Sequence, residues 1–572
     1  MSTNFTPSQK EYLDGFFAGT RLRGQSFGDS TVLPTAEPEK PKSKLCKEEK
    51  IKAEQHGLDA FPEILRKSKL GLPPEGGDLF RFKYNGLFWL APVEDGYMCR
   101  LRIPGGFISA DQLRALGEIA SDLASGFLQV TTRNNFQIRV IPPENTVELI
   151  RRVIECGLHT QGTGADNIRN LTATPTTGID PYELIDVKPL IDDLQLVIRN
   201  DREFYNLPRK FNISIHGAGL VPIAEDTNDI GLRAFRNEDS ENPVLFQVLL
   251  GGVTGHEEFA EHSGIVCTPD QAVEVCAAMT KIFARNGNRS NRGKSRLIYL
   301  LKDWGFEKFI EESEKELGFS LLRMSESQIP TDNPDLPTVP HPHLGAYPQK
   351  QDGLSYLGVS TPVGIIQADE VETIARVAEE FGNGDIRLTI FQNPIIANIP
   401  TSDIPKAEAA LAKGGLATNA SHFRGGMVAC TGNRYCKYSS ADTKGHGVAL
   451  ADFIDVHVEL DQPINVHVTG CPHSCAQHYI GDIGLLGCKV ENPDGGDPLE
   501  GFHVFVGGGF GREGKHLGRQ ILKSVAAGEP LQQTILSLLQ GYLSTREEDQ
   551  SFKAFTQSRS VEQLAELASS EA

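Results

Sequence analysis

The chain has 572 residues, ten cysteines and a formal charge of −19, with 39% hydrophobic and 23% charged residues; this is the profile of a globular protein of about two to four domains. The acidic balance argues against general nucleic-acid binding, the sparse cysteines argue against a disulfide scaffold and for a reducing compartment, and no apolar run reaches the length of a membrane span. The opening Met1-Ser-Thr-Asn-Phe-Thr-Pro lacks the basic and apolar regions of a signal peptide, so the expected location is the cytoplasm.

Residues 1–75 combine a short amphipathic opening with a Pro/Lys/Glu stretch over 34–54. Because Glu interleaves the Lys, the segment reads as a solvated, partly flexible arm. A strand follows near Tyr97. Ser109 is then a plausible N-cap for a helix whose buried stripe is Leu113, Leu116, Ile119, Ala120 and Leu123. Further along, Ile374, Val377, Ala378 and Phe381 form the same stripe.

That recurrence belongs to a longer repeat. Residues 97–113 match 354–371, and Asp111 and Asp369 are 258 apart (369 − 111). Leu128-Gln-Val-Thr-Thr matches Ile386-Arg-Leu-Thr-Ile at the same offset. Asn170-Leu-Thr-Ala-Thr lies against Gly426-Met-Val-Ala-Cys, and Phe211-Asn-Ile-Ser-Ile-His-Gly against Ile464-Asn-Val-His-Val-Thr-Gly, where the offset is 253 (464 − 211). Strands alternating with helices predict two α+β modules, each with its helices on one sheet face. The copies pack about a pseudo-twofold axis with a cofactor site where they meet.

Only the second copy carries a metal-binding pattern: Cys430 and Cys436, then Cys471 and Cys475, while Thr174 stands where Cys430 does. Four thiolates suit a cubane iron–sulfur cluster or a zinc ion. Structural zinc pairs usually sit two to four residues apart; here five and three residues intervene. Pro472 after Cys471 also fits a loop turning tightly around a bulky cluster. The spacing favours the cluster, with zinc as the alternative. The first copy is rich in cations and amides instead: Arg133, Asn135 and Gln137 alternate as on one strand face, and Asn212 lies two residues beyond Lys210.

Arg100-Leu-Arg-Ile-Pro-Gly-Gly, Thr131-Thr-Arg-Asn-Asn-Phe-Gln, Gly164-Ala-Asp-Asn-Ile-Arg-Asn, Leu207-Pro-Arg-Lys-Phe-Asn and the two cysteine pairs, in this order, resemble the nitrite/sulfite reductase family. The resemblance runs over about residues 78–555. It implies an α+β fold of duplicated ferredoxin-like half-domains (76–155 and 345–418) plus two α/β cofactor-binding domains (156–335 and 419–572) related by a pseudo-twofold axis. It implies a [4Fe–4S] cluster held by Cys430, Cys436, Cys471 and Cys475, with Cys475 also the axial ligand of a siroheme iron. Arg133, Asn135, Gln137 and Arg209 would then face the macrocycle's carboxylates. Arg100, Arg169 and Lys210 would cage the substrate anion beside Asn212, and Arg102 is a weaker candidate.

Asparagine rather than a second lysine at 212 favours singly charged nitrite. The implied activity is six-electron reduction of nitrite to ammonium with electrons from reduced ferredoxin or flavodoxin, by a monomer that binds neither nucleic acid nor membrane. Sulfite reduction is the alternative, and a structural zinc protein the reading outside the class. His473 and His478 read as satisfied packing histidines. Cys46, Cys99, Cys156, Cys267, Cys276 and Cys488 read as inert thiols. The Gly-rich 503–511 lacks a dinucleotide register and is expected to let backbone approach the flat macrocycle.

Overall fold

Ser109 caps its helix as its sequence demands. The hydroxyl accepts from Gln112 N at 3.2 Å and the Gln112 side chain accepts from Ser109 N at 3.1 Å, two otherwise orphaned donors satisfied reciprocally. The helix Ala110–Leu123 buries Leu113, Leu116, Ile119 and Ala120. Its repeat mate, Ala368–Phe381, uses a Gln367/Glu370 capping box and buries Val371, Ile374, Val377 and Ala378. The two helices meet closely: a Cβ on Gly117 would come 2.7 Å from Val371 Cγ1. These elements come from a computed structural model that describes residues 45–237, 241–330, 333, 335–511 and 514–569.

The first half-domain contributes β1 (Leu87–Trp89), β2 (Tyr97–Arg100), β3 (Phe107–Ser109), β4 (Phe127–Val130) and β5 (Phe136–Ile141). Its sheet runs β1-β2-β5-β4 and is completed by Ile365–Gln367 from the second copy. Reciprocally, β3 completes the sheet made by Gly345–Pro348, Leu354–Gly358, Pro394–Pro400 and Asp385–Leu388. The exchange obeys the repeat: Ser109 pairs with Asp385 and Gln367 with Phe127, each residue standing 258 from its counterpart (367 − 109; 385 − 127). Ile108 opposite Ile386 and Ile366 opposite Leu128 join one continuous core. Burying such side chains contributes about 1.5–3 kcal/mol each. The two copies thus share a core, and each completes the other's sheet.

Each half-domain leads into a mixed sheet. In the first, Thr172–Ala173, Ile213–His216 and Ile230–Arg236 run parallel, and Val244–Leu250, Glu261–Cys267 and Leu322–Arg323 continue antiparallel. In the second, Met427–Ala429, Val466–Thr469 and Ile483–Val490 run parallel, followed by antiparallel Leu499–Val506 and Arg519–Ala526. Among the described residues no helix is long and apolar enough to cross a membrane.

The expected flexible arm is corrected in part. Residues 1–44 lie outside the described residues, but 45–75 are ordered: Lys47–Glu54 and Phe61–Leu70 are helices, and Glu49 and Lys52 are buried. Composition misled because these charges are paired internally; Lys52 meets Glu49 at 2.5 Å and Asp166 at 3.6 Å.

Candidate active site

A cleft of about 500 Å³ is lined by the first half-domain, residues 209–212, and the loops of the cysteine pairs. Arg100, at the end of β2, lies 4.7 Å from the centroid of the Phe88 ring and donates to Thr163 O at 3.3 Å. Arg169 donates to Thr163 O and Ala165 O, while its buried Nε has no partner. Arg209 and Lys210 line the cleft, and among the described residues neither forms an ion pair. Asn212 is 3% exposed, its N–H bound to Asp229 at 2.8 Å and its Oδ1 without a partner.

So many cations in one wall depress one another. Burial, then repulsion from Arg296, pushes the Lys210 ammonium down to about 7. Burial and Arg100 hold Arg169 well below the ordinary guanidinium value, and burial with Arg296 brings Arg133 to about 10. A wall that strains its own charges in this way favours an anion in front of it.

Two expectations need revision. Arg133, Asn135 and Gln137 do not alternate on a strand: residues 131–135 form the turn between β4 and β5, and Asn134 takes φ 50°, a conformation asparagine tolerates. Arg133 lines the cleft and donates to Asn228 Oδ1 at 2.8 Å, whereas the Asn135 amide is spent on Leu101 O at 2.9 Å. Gln137 stays on β5. Arg102, 1% exposed, serves the scaffold instead, donating to Ile168 O, Gly162 O, Gln161 O and Arg169 O.

Sequence reasoning missed Lys83, Arg139, Arg296, Gln392, Thr431 and Lys444, which also line the cleft. Two carried a signal. Arg139 follows Gln137 by two residues on β5, contacts it and Gln129, and reaches Thr431 Oγ1 at 2.7 Å. Gln392 is the repeat counterpart of Asn134 (392 − 134 = 258), also has positive φ, and donates to Val130 O and Ala429 O.

The cysteine loops are tied down from several sides. Cys430 Sγ accepts from Gly470 N at 3.2 Å. Ser474 and Gln477, both at positive φ, turn the loop around Cys475, whose carbonyl accepts from Thr132 Oγ1 at 3.1 Å. Burial pushes the Cys471 thiol up to about 11, and the other three thiols add to the shift. Four sulfurs this close need a cationic partner to be thiolates. Four thiols, at least three of which raise one another's pKa, are a donor set that a [4Fe–4S] cluster takes.

His478 is buried, hydrogen-bonded to Ser474 at 3.0 Å and held neutral by burial, whereas His473 Nδ1 lies 3.4 Å from Cys471 Sγ. The Gly-rich loop does not reach the cleft, contrary to expectation. A Cβ on Gly508 would meet Gly481 O at 2.4 Å, so its glycine permits a backbone contact within the second mixed-sheet domain.

The nitrite and sulphite reductase 4Fe-4S domain matches residues 164–321 and 423–571, and the nitrite/sulfite reductase ferredoxin-like half domain matches 91–156 and 347–414. The chain belongs to the nitrite and sulfite reductase family. It is 34% identical to a ferredoxin–nitrite reductase of Synechococcus elongatus, over 87% of this chain and 96% of that protein. It is 32% identical to a chloroplastic ferredoxin–nitrite reductase of Zea mays, over 85% and 88% of the two chains. The solved Mycobacterium tuberculosis NirA protein superimposes with a TM-score of 0.82 at 28% identity, covering 91% of this chain and 97% of that one. This family member is an oxidoreductase whose cofactors are a [4Fe–4S] cluster and siroheme. The cleft suits both: Cys430, Cys436 and Cys475 line it together with Arg209, Lys210, Arg169 and Asn212, and among the described residues Arg169 Nε and Asn212 Oδ1 have no partner.

A second cavity, about 170 Å³, is lined by Ala218, Pro222, Phe391, Pro463, Asn465 and Ile480 among others.

Proposed function

We propose that the chain reduces nitrite to ammonium with electrons from reduced ferredoxin: six electrons and eight protons convert one nitrite into ammonium and two waters. The observation that carries this reading is the cation wall around Asn212, in which, among the described residues, Arg209 and Lys210 lack ion-pair partners and Arg169 Nε is orphaned. The names of the relatives support nitrite and ferredoxin.

In this reading Cys430, Cys436, Cys471 and Cys475 would hold the cluster, and Cys475 would also serve the siroheme iron. When bound, the cofactors supply the path by which single electrons reach the substrate nitrogen. Arg133, Arg209 and Gln137, which line the cleft, would meet the macrocycle's carboxylates, and Asn135 supports the turn that carries Arg133. Arg100, Arg169 and Lys210 hold the anion. One such cation about 4 Å away contributes roughly 4 kcal/mol at an effective dielectric near 20, more than the screened field of a −19 chain can oppose. With its ammonium brought to about 7, Lys210 is matched to protonating departing oxygens at neutral pH, and Asn212 leaves the wall one charge short of what a dianion prefers.

Initial rates with nitrite and with sulfite, driven by reduced ferredoxin, test this. Nitrite is expected to dominate, and Asn212→Lys to move the ratio toward sulfite. A native preference for sulfite would overturn the assignment.

A further inference from the structure

Behind the cation wall runs residues 289–296, a segment outside the cofactor motifs that carries three arginines, each tied to a carboxylate. Arg289 grips both oxygens of Glu49, at 2.9 and 2.8 Å. Arg292 makes a bidentate pair with Asp166, at 2.7 and 2.6 Å. Arg296 does the same with Asp229, at 3.1 and 2.7 Å. Asp166 and Asp229 are fully buried.

The same groups seize successive backbone atoms of residues 206–212. Arg289 donates to Asn206 O at 2.7 Å, Lys52 to Leu207 O at 2.8 Å, and Arg292 to Pro208 O at 3.0 Å. Asp229, held by Arg296, accepts from Asn212 N at 2.8 Å. Leu207 N and Phe211 N bond back to Asp166 O and Asn167 O, and Arg169 N to Phe211 O. The backbone on both sides of Arg209 and Lys210 is therefore clamped, while among the described residues those two side chains form no ion pair and line the cleft.

Burying this many charges is costly, and ion pairs of this kind add little net stability over well-packed apolar groups. A bidentate guanidinium does give fixed geometry. We infer that Arg289 and Arg292, with Lys52 and Asp166 behind them, are positioning residues that aim Lys210 and Arg169 at the substrate anion. The inference rests on the proposed reading that those two cations hold nitrite. Misplacing a binding group by about 1 Å can cost on the order of a hundredfold, so a partial loosening falls below that.

The test uses the holoenzyme with reduced ferredoxin. Arg292→Gln, which leaves Asp166 its contact with Lys52, is expected to raise the nitrite KM about tenfold while kcat stays within about threefold and the visible spectrum and iron content are unchanged. Arg292→Lys should fall between. If Arg292→Gln does not fold, Lys52→Met, which removes the bond to Leu207 O and the ion pairs with Glu49 and Asp166 while leaving Arg289 and Arg292 on those carboxylates, should show the same KM-against-kcat split at about threefold. The deciding measurement combines either variant with Lys210→Ala. If the brace acts through Lys210, the second change adds no further rise in KM. Full additivity, or a parallel loss of cofactor, would overturn the positioning role. An unchanged KM in Lys210→Ala alone would instead sink the anion-binding assignment on which it rests.

Discussion

The cofactor cleft and the smaller second cavity occupy equivalent places in the two halves of the repeat. Moving 258 residues from Arg133 gives Phe391; moving 253 from Lys210, Asn212 and Thr227 gives Pro463, Asn465 and Ile480, and moving 253 back from Cys475 gives Pro222. The first of each pair lines the cleft and the second lines the cavity. The supporting bonds survive in both: Asn212 N donates to Asp229 and Asn465 N to Asp482, each at 2.8 Å. Ala224 and Gln477, also 253 apart, both keep positive φ. The cleft joins the cations of the first copy to the thiols of the second, whereas the matching positions of the cavity carry Pro222, Phe391, Pro463 and Ile480. Chemistry here is a property of side chains grafted on a scaffold that tolerates their loss.

The sharpest way to break that contrast is at Cys475. Cys475→Ser should cut nitrite turnover by more than the roughly 10–100-fold that losing a mere supporting partner costs, and should alter the visible spectrum; full activity with an unchanged spectrum would remove the bridging role. A smaller effect is expected from pH. The Lys210 ammonium sits at about 7, far below a free lysine, so the cation is present below pH 7 and is lost above it. Nitrite KM should therefore climb by up to about fivefold between pH 7 and 8, with the inflection absent in Lys210→Arg. The smallest effect belongs to the other cavity. Pro463→Lys restores one cation there, yet turnover should change less than about twofold and siroheme should remain at one per chain. A second equivalent of pigment would show that the second cavity has not lost its binding capacity.

Much of this was legible in the sequence because the repeat keeps its offset: strand–helix order, the capping boxes and the lone set of cysteines all follow from pattern. What escaped depends on pairing over distance. Thr131 to Gln137 alternates like a strand, and only the left-handed backbone at Asn134 reveals the turn. Arg296 and Lys444 stand far from any motif, and only folding brings them into one wall with Lys210 and Cys430. Lys52 and Glu49 look like solvated charges until their partners at Asp166 and Arg289 arrive. The exchange of β3 for Ile365–Gln367 leaves no compositional trace, because each guest strand has the same alternation as the strand it accompanies.

That exchange also sets a schedule for synthesis. The edge of β4 stays open until residues 365–367 leave the ribosome, more than 200 residues after β4 itself (365 − 130 = 235). At about 5–20 residues per second this is a window of roughly 10–50 s, during which an unpaired apolar edge invites mispairing with other nascent chains. Truncation before residue 365 should accordingly give insoluble product, and demand for chaperones should be concentrated in that interval.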